Sequence, residues 1–501
     1  MKTAIIGGGI AGLAAAFELE KARSAGEAVE YTLFEAGSRL GGALASEMVD
    51  GTVLEKGPDS FLSEKPAATE LCRELGLGAD LIPSNDEARK TFILVKNRMV
   101  PLPDGLMFLV PTKLIPTALT RLFSLKTKIR MGFELLHPPR AGEEDEAVAT
   151  LVERHFGAEA VDRLADPLLS GIYGGDAAQL SARTVLPRLV EMEKEYGSLT
   201  RGMLAGHRKM RAKAKEAEKA SGSAAAHGKA MQGTVNAGGN GRPGSRSIFT
   251  TLRGGLQQMV DALEARLDRR SIRLSTPVNG LQRTANGWVV ETAGGSEVYD
   301  AVILASPAWA AGVLLGSVDP VLGEELGGIP YSSSITVNLM YDEAKLGTLP
   351  EGFGFLVPAS EGRTMLACTF AHRKFLGRTA PGKAVLRAFL GGMKNEALLT
   401  EKDEVLVATV RRELNEILGI TAEPERAQVS RWRRAMAQYA VGHQERTKRI
   451  AERVAGLPGL RLVGNAYDGI GIPDCIRLGR KAARELTASQ QVSEPASQPV
   501  G

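Results

Sequence analysis

The spacing of hydrophobic positions changes from zone to zone along the chain. Residues 1–60 alternate short apolar runs, typical of strands, with glycine-rich turns and one amphipathic helix. From about Pro111 to Leu204 the apolar residues recur at intervals of three and four with charges between them, which predicts helices. Strand-like runs dominate 272–305 and 332–370, and a second glycine-rich strand-to-helix unit occupies 460–487. This order of elements predicts an α/β protein.

Residues 205–248 follow neither pattern. The segment begins with basic helix-forming residues and continues in Gly, Ala, Ser and Asn, almost without large apolar side chains. Such a segment cannot bury enough surface to offset the entropy lost on ordering. We therefore predict a disordered insertion at 205–248, and a flexible polar tail at 488–501. The alternative for the insertion is a basic arm that touches an anionic lipid or an acidic partner.

The composition is that of an ordinary soluble globular protein, with 44% hydrophobic and 24% charged residues among 501. The length suits roughly two to four domains of about 150 residues each. A net charge of +4 is too small to indicate nucleic-acid binding. The cysteines, Cys72, Cys368 and Cys475, are far apart, which argues against a disulfide scaffold or a paired-cysteine site and suits a reducing compartment.

Two apolar stretches raise the question of a membrane span. Ala301–Val318 is uncharged, but it reads as a buried strand followed by a Ser-Pro helix start. Leu106–Leu125 is interrupted by two prolines, a lysine and an arginine, and is too broken to span a bilayer. We expect a cytoplasmic protein with at most peripheral association with the inner face of the membrane.

The first chemistry-bearing motif is a GxGxxG frame between a strand, Thr3–Ile6, and a helix. In such a frame the first glycine permits the tight turn, the second lets a pyrophosphate approach, and the third lets helix and strand pack. The next strand ends in Glu35, where a carboxylate would accept hydrogen bonds from an adenosine ribose. The alternative is a glycine turn with an ordinary surface glutamate. The frame comprises Gly7, Gly8, Gly9, Ile10, Ala11, Gly12 and Leu13.

The residues after that strand favour a flavin over a nicotinamide. Glu35, Ala36, Arg39, Gly41 and Gly42 resemble the Glu-Ala-x-x-Arg-x-Gly-Gly motif of the flavin amine oxidase and protoporphyrinogen oxidase superfamily, which binds FAD. The resemblance implies that the arginine faces the phosphates and that the glycines let backbone approach the cofactor.

Two further segments resemble the same superfamily. Gly464 and Asn465 end a strand near the C-terminus, where the resemblance implies contact with the ribityl chain and pyrophosphate. The turn and helix that follow would point a helix N-terminus at the flavin ring. This turn contains Gly469, Ile470, Gly471 and Ile472. Val278 matches a valine that contacts adenine, although a plain core role is as good an explanation.

Other segments resemble a narrower group, the protoporphyrinogen/coproporphyrinogen oxidase family. These segments are Gly57-Pro58-Asp59-Ser60, Gly171–Asp176 and Trp432 with Gln438–His443. Ala437 stands where the family usually has proline, which leaves the local turn geometry open. The matches extend over nearly the whole chain and place Gly57, Pro58, Asp59, Ser60 and Trp432 beside the cofactor.

The resemblance implies a discontinuous, Rossmann-like FAD-binding domain with a mixed-sheet substrate domain and a helical subdomain. The FAD-binding domain would comprise 1–61, 249–305 and 456–487. The substrate-binding domain would comprise 62–108 and 306–455, and the helical subdomain 109–204.

The implied reaction is the six-electron oxidation of a porphyrinogen to a porphyrin in haem biosynthesis, with FAD as cofactor and O2 as acceptor. Because the flavin carries the chemistry, no catalytic side chain is expected, and the histidines have neither triad nor metal spacing. The competing interpretations are a flavin amine oxidase, a carotenoid desaturase or a non-catalytic flavoprotein. A porphyrin product would pass to the next enzyme of the pathway.

Four residues would contact the tetrapyrrole. The resemblance places Gly171, Leu356 and Phe375 near the ring, although an ordinary core role is as good an explanation for Phe375. Thr91 stands where enzymes acting on protoporphyrinogen commonly have a propionate-binding arginine, with Arg89 and Lys90 beside it. This departure favours coproporphyrinogen III, which has four propionates, over protoporphyrinogen IX, which has two.

Overall fold

The structure is a computed structural model that describes residues 1–103, 105–107, 109–111, 114–140, 142, 144–220 and 247–491. Its strands, in chain order, are β1 Lys2–Ile6, β2 Glu30–Phe34, β3 Ser46–Val49, β4 Thr52–Glu55, β5 Phe61–Leu62, β6 Leu81–Pro83, β7 Thr91–Val95, β8 Arg98–Pro101, β9 Leu106–Met107, β10 Val110–Pro111, β11 Phe249–Leu252, β12 Ile272–Arg273, β13 Val278–Thr284, β14 Gly287–Thr292, β15 Gly295–Tyr299, β16 Ala301–Leu304, β17 Tyr331–Asp342, β18 Gly354–Leu356, β19 Ala367–Phe370, β20 Lys383–Gly391, β21 Arg426–Ala437 and β22 Leu460–Leu462.

The helices lie between these strands and after the last of them. In chain order they are α1 Ile10–Ser24, α2 Pro66–Glu74, α3 Leu114–Leu119, α4 Leu125–Phe133, α5 Val148–Phe156, α6 Ala158–Ala160, α7 Asp166–Tyr173, α8 Ala182–Val185, α9 Pro187–Tyr196, α10 Leu199–Ala220, α11 Gln257–Glu264, α12 Ala308–Leu315, α13 Pro320–Gly327, α14 Ala371–Lys374, α15 Asp403–Leu418, α16 His443–Ala455 and α17 Ile472–Gln491.

A parallel sheet joins the two ends of the chain. Its strand order is β12-β2-β1-β16-β22, and every pairing in it is parallel. The apolar runs of β1 and β16 are almost wholly buried, as expected of parallel strands covered on both faces. Helices α1 and α17 pack closely because Gly479 has no side chain to collide with the Ala11 carbonyl. The sheet is the Rossmann-like element predicted from the glycine motifs.

A larger mixed sheet stands beside the first. Its order is β21-β17-β20-β19-β18-β7-β8, with antiparallel pairings except between β18 and β7. Alternate residues of β17, such as Ile335, Val337 and Leu339, face an apolar core with residues of α15. A separate core packs the helices of the middle region around Leu151 and Phe156.

The insertion and the tail begin later than predicted. Helix α10 continues to Ala220, so 205–220 is helical rather than disordered. The physical reason is that the run from Arg208 to Ala220 consists mostly of Ala, Lys, Arg and Glu, which are strong helix formers. At the other side, the amide of Ser63 donates to the Ile248 carbonyl at 2.9 Å. Helix α17 likewise includes 488–491. The remainder of both predictions, 221–246 and 492–501, lies outside the described residues.

In the part of the chain that the structure describes, no helix combines the length and the apolar character that crossing a bilayer requires.

Candidate active site

The turn after β1 leaves room for a phosphate group. Gly7 has a φ of +113°, and a Cβ at Gly12 would collide with the Gly7 carbonyl, so both positions require glycine. A Cβ at Gly9, in contrast, would meet nothing within 4 Å. Helix α1 begins at the next residue without a capping side chain and without an acidic residue in its first turn. No side chain caps the first N–H groups of the helix, and such a helix start next to an open Cβ position suits a pyrophosphate.

Glu35 holds two glycine turns together. Its carboxylate accepts the amide of Gly8 at 2.7 Å and the amide of Gly37 at 2.7 Å, one on each oxygen. A carboxylate has further lone pairs on both oxygens, so it can still accept the hydroxyls of a ribose. The sequence predicted the ribose contact, but it gave no indication of the two amide contacts.

Arg39 fixes the turn that contains Gly41 and Gly42. Its guanidinium donates to the carbonyls of Leu40 at 3.0 Å, Leu44 at 3.2 Å and Gly42 at 2.5 Å. The Gly41 amide donates to the Gly8 carbonyl at 2.8 Å, which sets this turn beside the first. The phosphate contact expected of Arg39 stays a prediction, and the arginine has a positioning role that the sequence did not reveal. Ala36 and the two glycines belong to the same turn.

Strand β22 is followed by the segment that contains Gly464 and Asn465 and leads into α17. Gly464 has a φ of +128° and open space at its Cβ position. The side chain of Asn465 donates to the Ala435 carbonyl at 2.9 Å. At the start of α17, Asp474 accepts from Lys65 at 2.6 Å and from the Gly471 amide at 3.2 Å. This ion pair ties the helix start to α2, and the half-buried Ile470 and Ile472 flank the turn near Gly469.

Three segments that are separate in the sequence meet at Gln438 and Tyr439. The amide of Gln438 donates to the Tyr173 carbonyl at 2.8 Å, and its oxygen fills the space where Gly175 lacks a side chain. The Tyr439 hydroxyl donates to the Asn465 carbonyl at 3.0 Å. The Gly171–Asp176 segment, the Gln438–His443 segment and the C-terminal strand end are therefore one connected unit.

His443 completes this unit as a neutral, stacked ring. It lies on the Tyr439 ring with centroids 4.2 Å apart. Burial, assisted by the charge of Arg446, lowers the pKa of His443 to about 4. The lowered pKa favours the neutral imidazole at neutral pH, and this form suits a ring stacked on Tyr439.

A buried ion cluster lies under the Gly57–Ser60 segment. Lys374 donates to both oxygens of Asp59 at 3.0 Å, and the Arg387 guanidinium lies 3.5 Å from the same carboxylate and donates to the Gly57 carbonyl. Burial disfavours the Asp59 carboxylate, but the charges of Lys374 and Arg387 outweigh it and hold its pKa well below the ordinary value. Arg378 forms a second buried pair with Glu55.

The cluster carries more positive than negative groups. Three cations, Lys374, Arg378 and Arg387, face two carboxylates, and the Nε atoms of both arginines are buried without a partner. None of these three cations was predicted from the sequence. Arg387 could have been identified as a candidate site residue, because it is a lone charge within the apolar run of β20. Pro58 and Ser60 are half-buried beside the cluster, and the Trp432 indole donates to the Lys56 carbonyl at 2.7 Å.

The structure brings two of the predicted substrate residues together. A Cβ at Gly171 would lie 3.2 Å from the Leu356 side chain, so these residues adjoin at the end of α7. Phe375 is fully buried with Lys374 Nζ 5.1 Å from its ring centre, at the ion cluster. Thr91 is half-buried at the start of β7, opposite Gly354. Two residues earlier, Arg89 has a buried Nη2 atom without a partner. Val278 packs against the apolar core around Trp288, which agrees with its core interpretation and leaves the adenine contact untested.

One cluster among the described residues has donors close enough for a metal ion: His137, His155 and Glu193. Both ring nitrogens of His155 are already bonded, to Glu134 at 3.0 Å and to Glu193 at 3.1 Å. The His137 ring stacks on it at 4.2 Å, and Arg154 bonds the Glu193 carboxylate. Burial opposes protonation, but the two carboxylates outweigh it and raise the pKa of His155. A protonated His155 would therefore bind Glu134 and Glu193 together in one buried ion cluster.

Comparison with known proteins decides the family. The chain matches the family of flavin containing amine oxidoreductases over residues 10–487. The chain belongs to this family. Within it, coproporphyrinogen III oxidase of Bacillus subtilis (strain 168) is 33% identical over 484 residues, which cover 96% of this chain and 97% of that protein.

Solved structures of the family agree with this assignment. A protein of Exiguobacterium sp. 255-15, provisionally named a protoporphyrinogen oxidase, has a TM-score of 0.80 at 33% identity and covers 98% of this chain and 99% of its own. Cyclohexylamine oxidase from Brevibacterium oxydans IH-35A has a TM-score of 0.64 at 18% identity, with coverage of 98% and 99%, and shows the fold alone. The chain is a flavin-containing oxidoreductase of the coproporphyrinogen/protoporphyrinogen oxidase family, and the predicted α/β fold is confirmed.

Proposed function

We propose that this protein is an FAD-dependent, oxygen-dependent oxidase that converts coproporphyrinogen III to coproporphyrin III and releases H2O2. The observation that carries the proposal is the match, over nearly the whole length, to a coproporphyrinogen III oxidase. The hydrogen bond between Gln438 and Tyr173 supports it, because it joins the Gly171–Asp176 and Gln438–His443 segments, which distinguish the porphyrinogen oxidases from the amine oxidases in the sequence.

The described residues fit FAD as the cofactor. The open space at Gly9 and the uncapped start of α1 suit the pyrophosphate, and Glu35 suits the ribose. Beside Gly7, the buried hydroxyl of Ser306 has no partner, so it is a further candidate for a cofactor contact that the sequence analysis missed. The division into an FAD-binding domain (1–61, 249–305 and 456–487), a substrate domain and a helical subdomain is part of this proposal, and the parallel sheet supports it.

Bound FAD would accept hydride from a meso carbon of the porphyrinogen, and O2 would reoxidise it. The protein's task is then to hold the macrocycle, which is apolar in its ring and anionic at its propionates. Gly171 is exposed and adjoins Leu356, so these two residues are candidates for contact with the ring. The buried, unpartnered Nη2 of Arg89 is available for a carboxylate, because a guanidinium forms charge-assisted hydrogen bonds with a propionate.

The choice between the two porphyrinogens depends on charge. Each propionate that is buried without a cation costs several kcal/mol, so a substrate with four propionates needs several dispersed cations. Thr91 in place of a single arginine, with Arg89 and Lys90 adjacent, supports coproporphyrinogen III. Protoporphyrinogen IX is the second candidate, favoured by the name of the similar Exiguobacterium protein.

The decisive test measures kcat/KM for both porphyrinogens under air at one ionic strength, with porphyrin fluorescence and H2O2 as readouts. We expect coproporphyrinogen III to be preferred. Thr91→Arg should shift the ratio toward protoporphyrinogen IX by about fivefold, which corresponds to about 1 kcal/mol for a partly exposed charge-assisted hydrogen bond. Thr400→Arg, at an exposed threonine, is the matched control and should leave the ratio unchanged. A preference of the unmodified enzyme for protoporphyrinogen IX would overturn the substrate and leave the family unchanged.

A cytoplasmic setting is part of the proposal. The three cysteines are free and buried, and burial raises the pKa of each thiol to about 12, which suits a reducing cytoplasm. Direct transfer of the porphyrin product to the next enzyme of haem biosynthesis belongs to the same proposal.

A further inference from the structure

Strand β20 buries one arginine within an apolar run. Arg387 is 4% exposed, and its neighbours in the strand are apolar apart from Lys383 at the start. Its guanidinium donates to the Gly57 carbonyl, lies 3.5 Å from the Asp59 carboxylate and lies 4.7 Å from the centre of the Phe389 ring. A buried cation is costly unless anions compensate its charge, so the balance of charges around Arg387 matters.

The two carboxylates near Arg387 already have other cations as partners. Lys374 donates to both oxygens of Asp59 at 3.0 Å, and Arg378 forms a buried ion pair with Glu55. Burial lowers the pKa of Lys374, whereas Asp59 opposes this effect and accepts the hydrogen bonds that the protonated form donates. The two pairs are neutral, and Arg387 is the excess cation of the cluster.

Among the described residues, no further anion compensates Arg387. The charged groups that act on it are Asp59, Glu55 and Arg378, and the last of these is itself a cation. The Nε atom of Arg387 is buried and has no hydrogen-bond partner in the described part of the chain. A positive charge in a poorly solvated place exerts a strong field, because water does not screen it. That field is available to a bound anionic group nearby.

The excess charge lies directly behind the segment that is expected beside the cofactor. Arg387 donates to the carbonyl of Gly57, the first residue of that segment. A Cβ at Gly57 would collide with the Ala43 carbonyl, so this segment packs against the second glycine turn. A Cβ at Gly42, in that turn, would lie 3.2 Å from the Cα of Gly9 in the candidate phosphate turn. The cluster therefore adjoins the candidate cofactor site.

We propose that Arg387 stabilises the reduced, anionic form of the bound flavin and so raises its reduction potential. This inference rests on the proposed function. A hydride taken from the porphyrinogen carries two electrons and one proton, so the flavin ring gains one negative charge when it accepts the hydride. A fixed cation in a poorly solvated place stabilises that charge. O2 then takes the hydride together with a proton from solvent to form H2O2, and the ring returns to its neutral form.

A propionate of the substrate is the competing anion. Direct binding of a propionate to Arg387 would place it beside the Asp59 carboxylate, 3.5 Å from the guanidinium, and like charges repel. The field of Arg387 acts on the flavin without direct contact, so it requires no such approach. The observations therefore favour the flavin, and the propionate becomes an outcome of the test.

The test is the midpoint potential of the flavin in the purified holoenzyme, measured against a reference dye during slow reduction without porphyrinogen. Arg387→Met removes the excess charge and leaves both ion pairs. We expect its affinity for reduced FAD, relative to oxidised FAD, to fall about tenfold, which lowers the potential of a two-electron couple by about 30 mV. Arg387→Lys keeps the charge and should restore most of the potential. Asp59→Asn removes one negative charge and should raise the potential, which tests the proposal independently if Arg387→Met does not retain flavin.

The matched control is the double variant Glu55→Gln with Arg378→Met, which removes one neutral pair and leaves the excess charge. Its midpoint potential should stay near that of the unmodified enzyme. An equal fall in this variant would overturn the proposal, because loss of structure rather than loss of charge would explain the shift.

An unchanged potential in both Arg387→Met and Asp59→Asn would also overturn the proposal. A raised KM for the porphyrinogen in Arg387→Met would then assign Arg387 to substrate binding. Because no porphyrinogen enters the measurement of the potential, an enzyme that oxidises a different substrate would overturn the proposed function and still test this inference.

Discussion

At the scale of single residues, polar side chains of the candidate cofactor site both hold the backbone turns and remain able to bind a ligand. Glu35 binds two backbone amides and keeps lone pairs for a ligand, and Arg39 braces the turn that it belongs to. Gly9 is different, because nothing in the protein occupies the space at its Cβ position. A side chain there would fill only the volume that the pyrophosphate needs.

Gly9→Val should therefore fold but lose flavin. A β-branched side chain at the phosphate contact blocks the approach of the cofactor without a clash inside the protein. The measurement is the ratio of flavin to protein absorbance after purification, with circular dichroism to confirm folding. Gly206→Val is the control, since this glycine also has open space at Cβ but lies in α10. Full flavin content in folded Gly9→Val protein would show that the phosphate turn is assigned wrongly.

The sequence predicts the arrangement of these residues because they lie close together along the chain. The glycine frame, Glu35 and the helix after it lie within one short stretch, so spacing alone predicts their arrangement. Asp59 and Lys374 are 315 residues apart, and Gln438 and Tyr173 are 265 apart. Contacts of this kind are set by the packing of distant elements, so no local pattern could predict them. Arg89 was noticed beside Thr91, but its unpartnered buried nitrogen is visible only in three dimensions.

At the scale of elements, one buried ion cluster holds four helical segments together. Glu134 follows α4 and accepts the His155 ring from α5, the Ser198 hydroxyl and the Leu199 amide at the start of α10. Glu193 of α9 binds the other nitrogen of His155. Arg154 and Arg140 bind Glu146 nearby, so the charges face His155 from several sides. A protonated imidazole satisfies both carboxylates at once.

The stability of this region should depend on pH. Burial lowers the pKa of His155, but Glu134 and Glu193 outweigh this effect and raise the folded-state pKa above the ordinary value of about 6.5. The stabilisation that protonated His155 gives the folded state is therefore complete below pH 6.5 and is lost as pH rises through the folded-state pKa. Burial opposes the ionisation of Glu193, but hydrogen bonds with His155 and Arg154 lower the pKa of its carboxyl group to about 2. Its contribution to the free energy of unfolding is therefore complete above the ordinary pKa of a glutamate and is lost in acid. The apparent Tm should fall between neutral and alkaline pH in the unmodified protein.

His155→Gln should lower the Tm at neutral pH and flatten this dependence, because the titrating group is gone. Differential scanning fluorimetry across the pH series measures both effects. His137→Gln serves as the control, since the His137 ring stacks on His155 but bonds the Pro138 carbonyl rather than either carboxylate, and the slope should persist. A Tm that is constant across this range, or an imidazole signal of His155 that titrates below its ordinary value by NMR, would contradict the prediction.

At the scale of the whole molecule, the candidate cofactor site combines residues from distant parts of the chain. The candidate phosphate turn belongs to the first residues, Ser306 follows strand β16, and Gly464 precedes the last helix. The core of this region likewise combines α1, α11 and α17. A ligand that contacts all these segments stabilises the folded chain in proportion to its binding free energy.

Removal of the flavin should therefore lower the Tm by several degrees, and added FAD should restore it. At a concentration one hundred times Kd, a ligand that binds only the folded state contributes about 2.7 kcal/mol. Thermal unfolding of the apoprotein with and without FAD gives the shift. Riboflavin is the control ligand, because it lacks the pyrophosphate and the adenosine and should restore little. Equal rescue by riboflavin would show that the turn at Gly9 and Glu35 does not bind the dinucleotide.

The strand order of the parallel sheet also constrains how the chain is made. The central strand β1 is among the first residues to leave the ribosome, whereas its neighbour β16 begins at Ala301 and the edge strand β22 at Leu460. At ordinary rates of elongation, roughly 25 to 90 s separate β1 from β22. For most of that interval one edge of β1 has no partner, and unpaired strand edges invite association with other chains. We therefore expect nascent chains to be prone to association until β16 covers the edge of β1 and β22 covers the edge of β16.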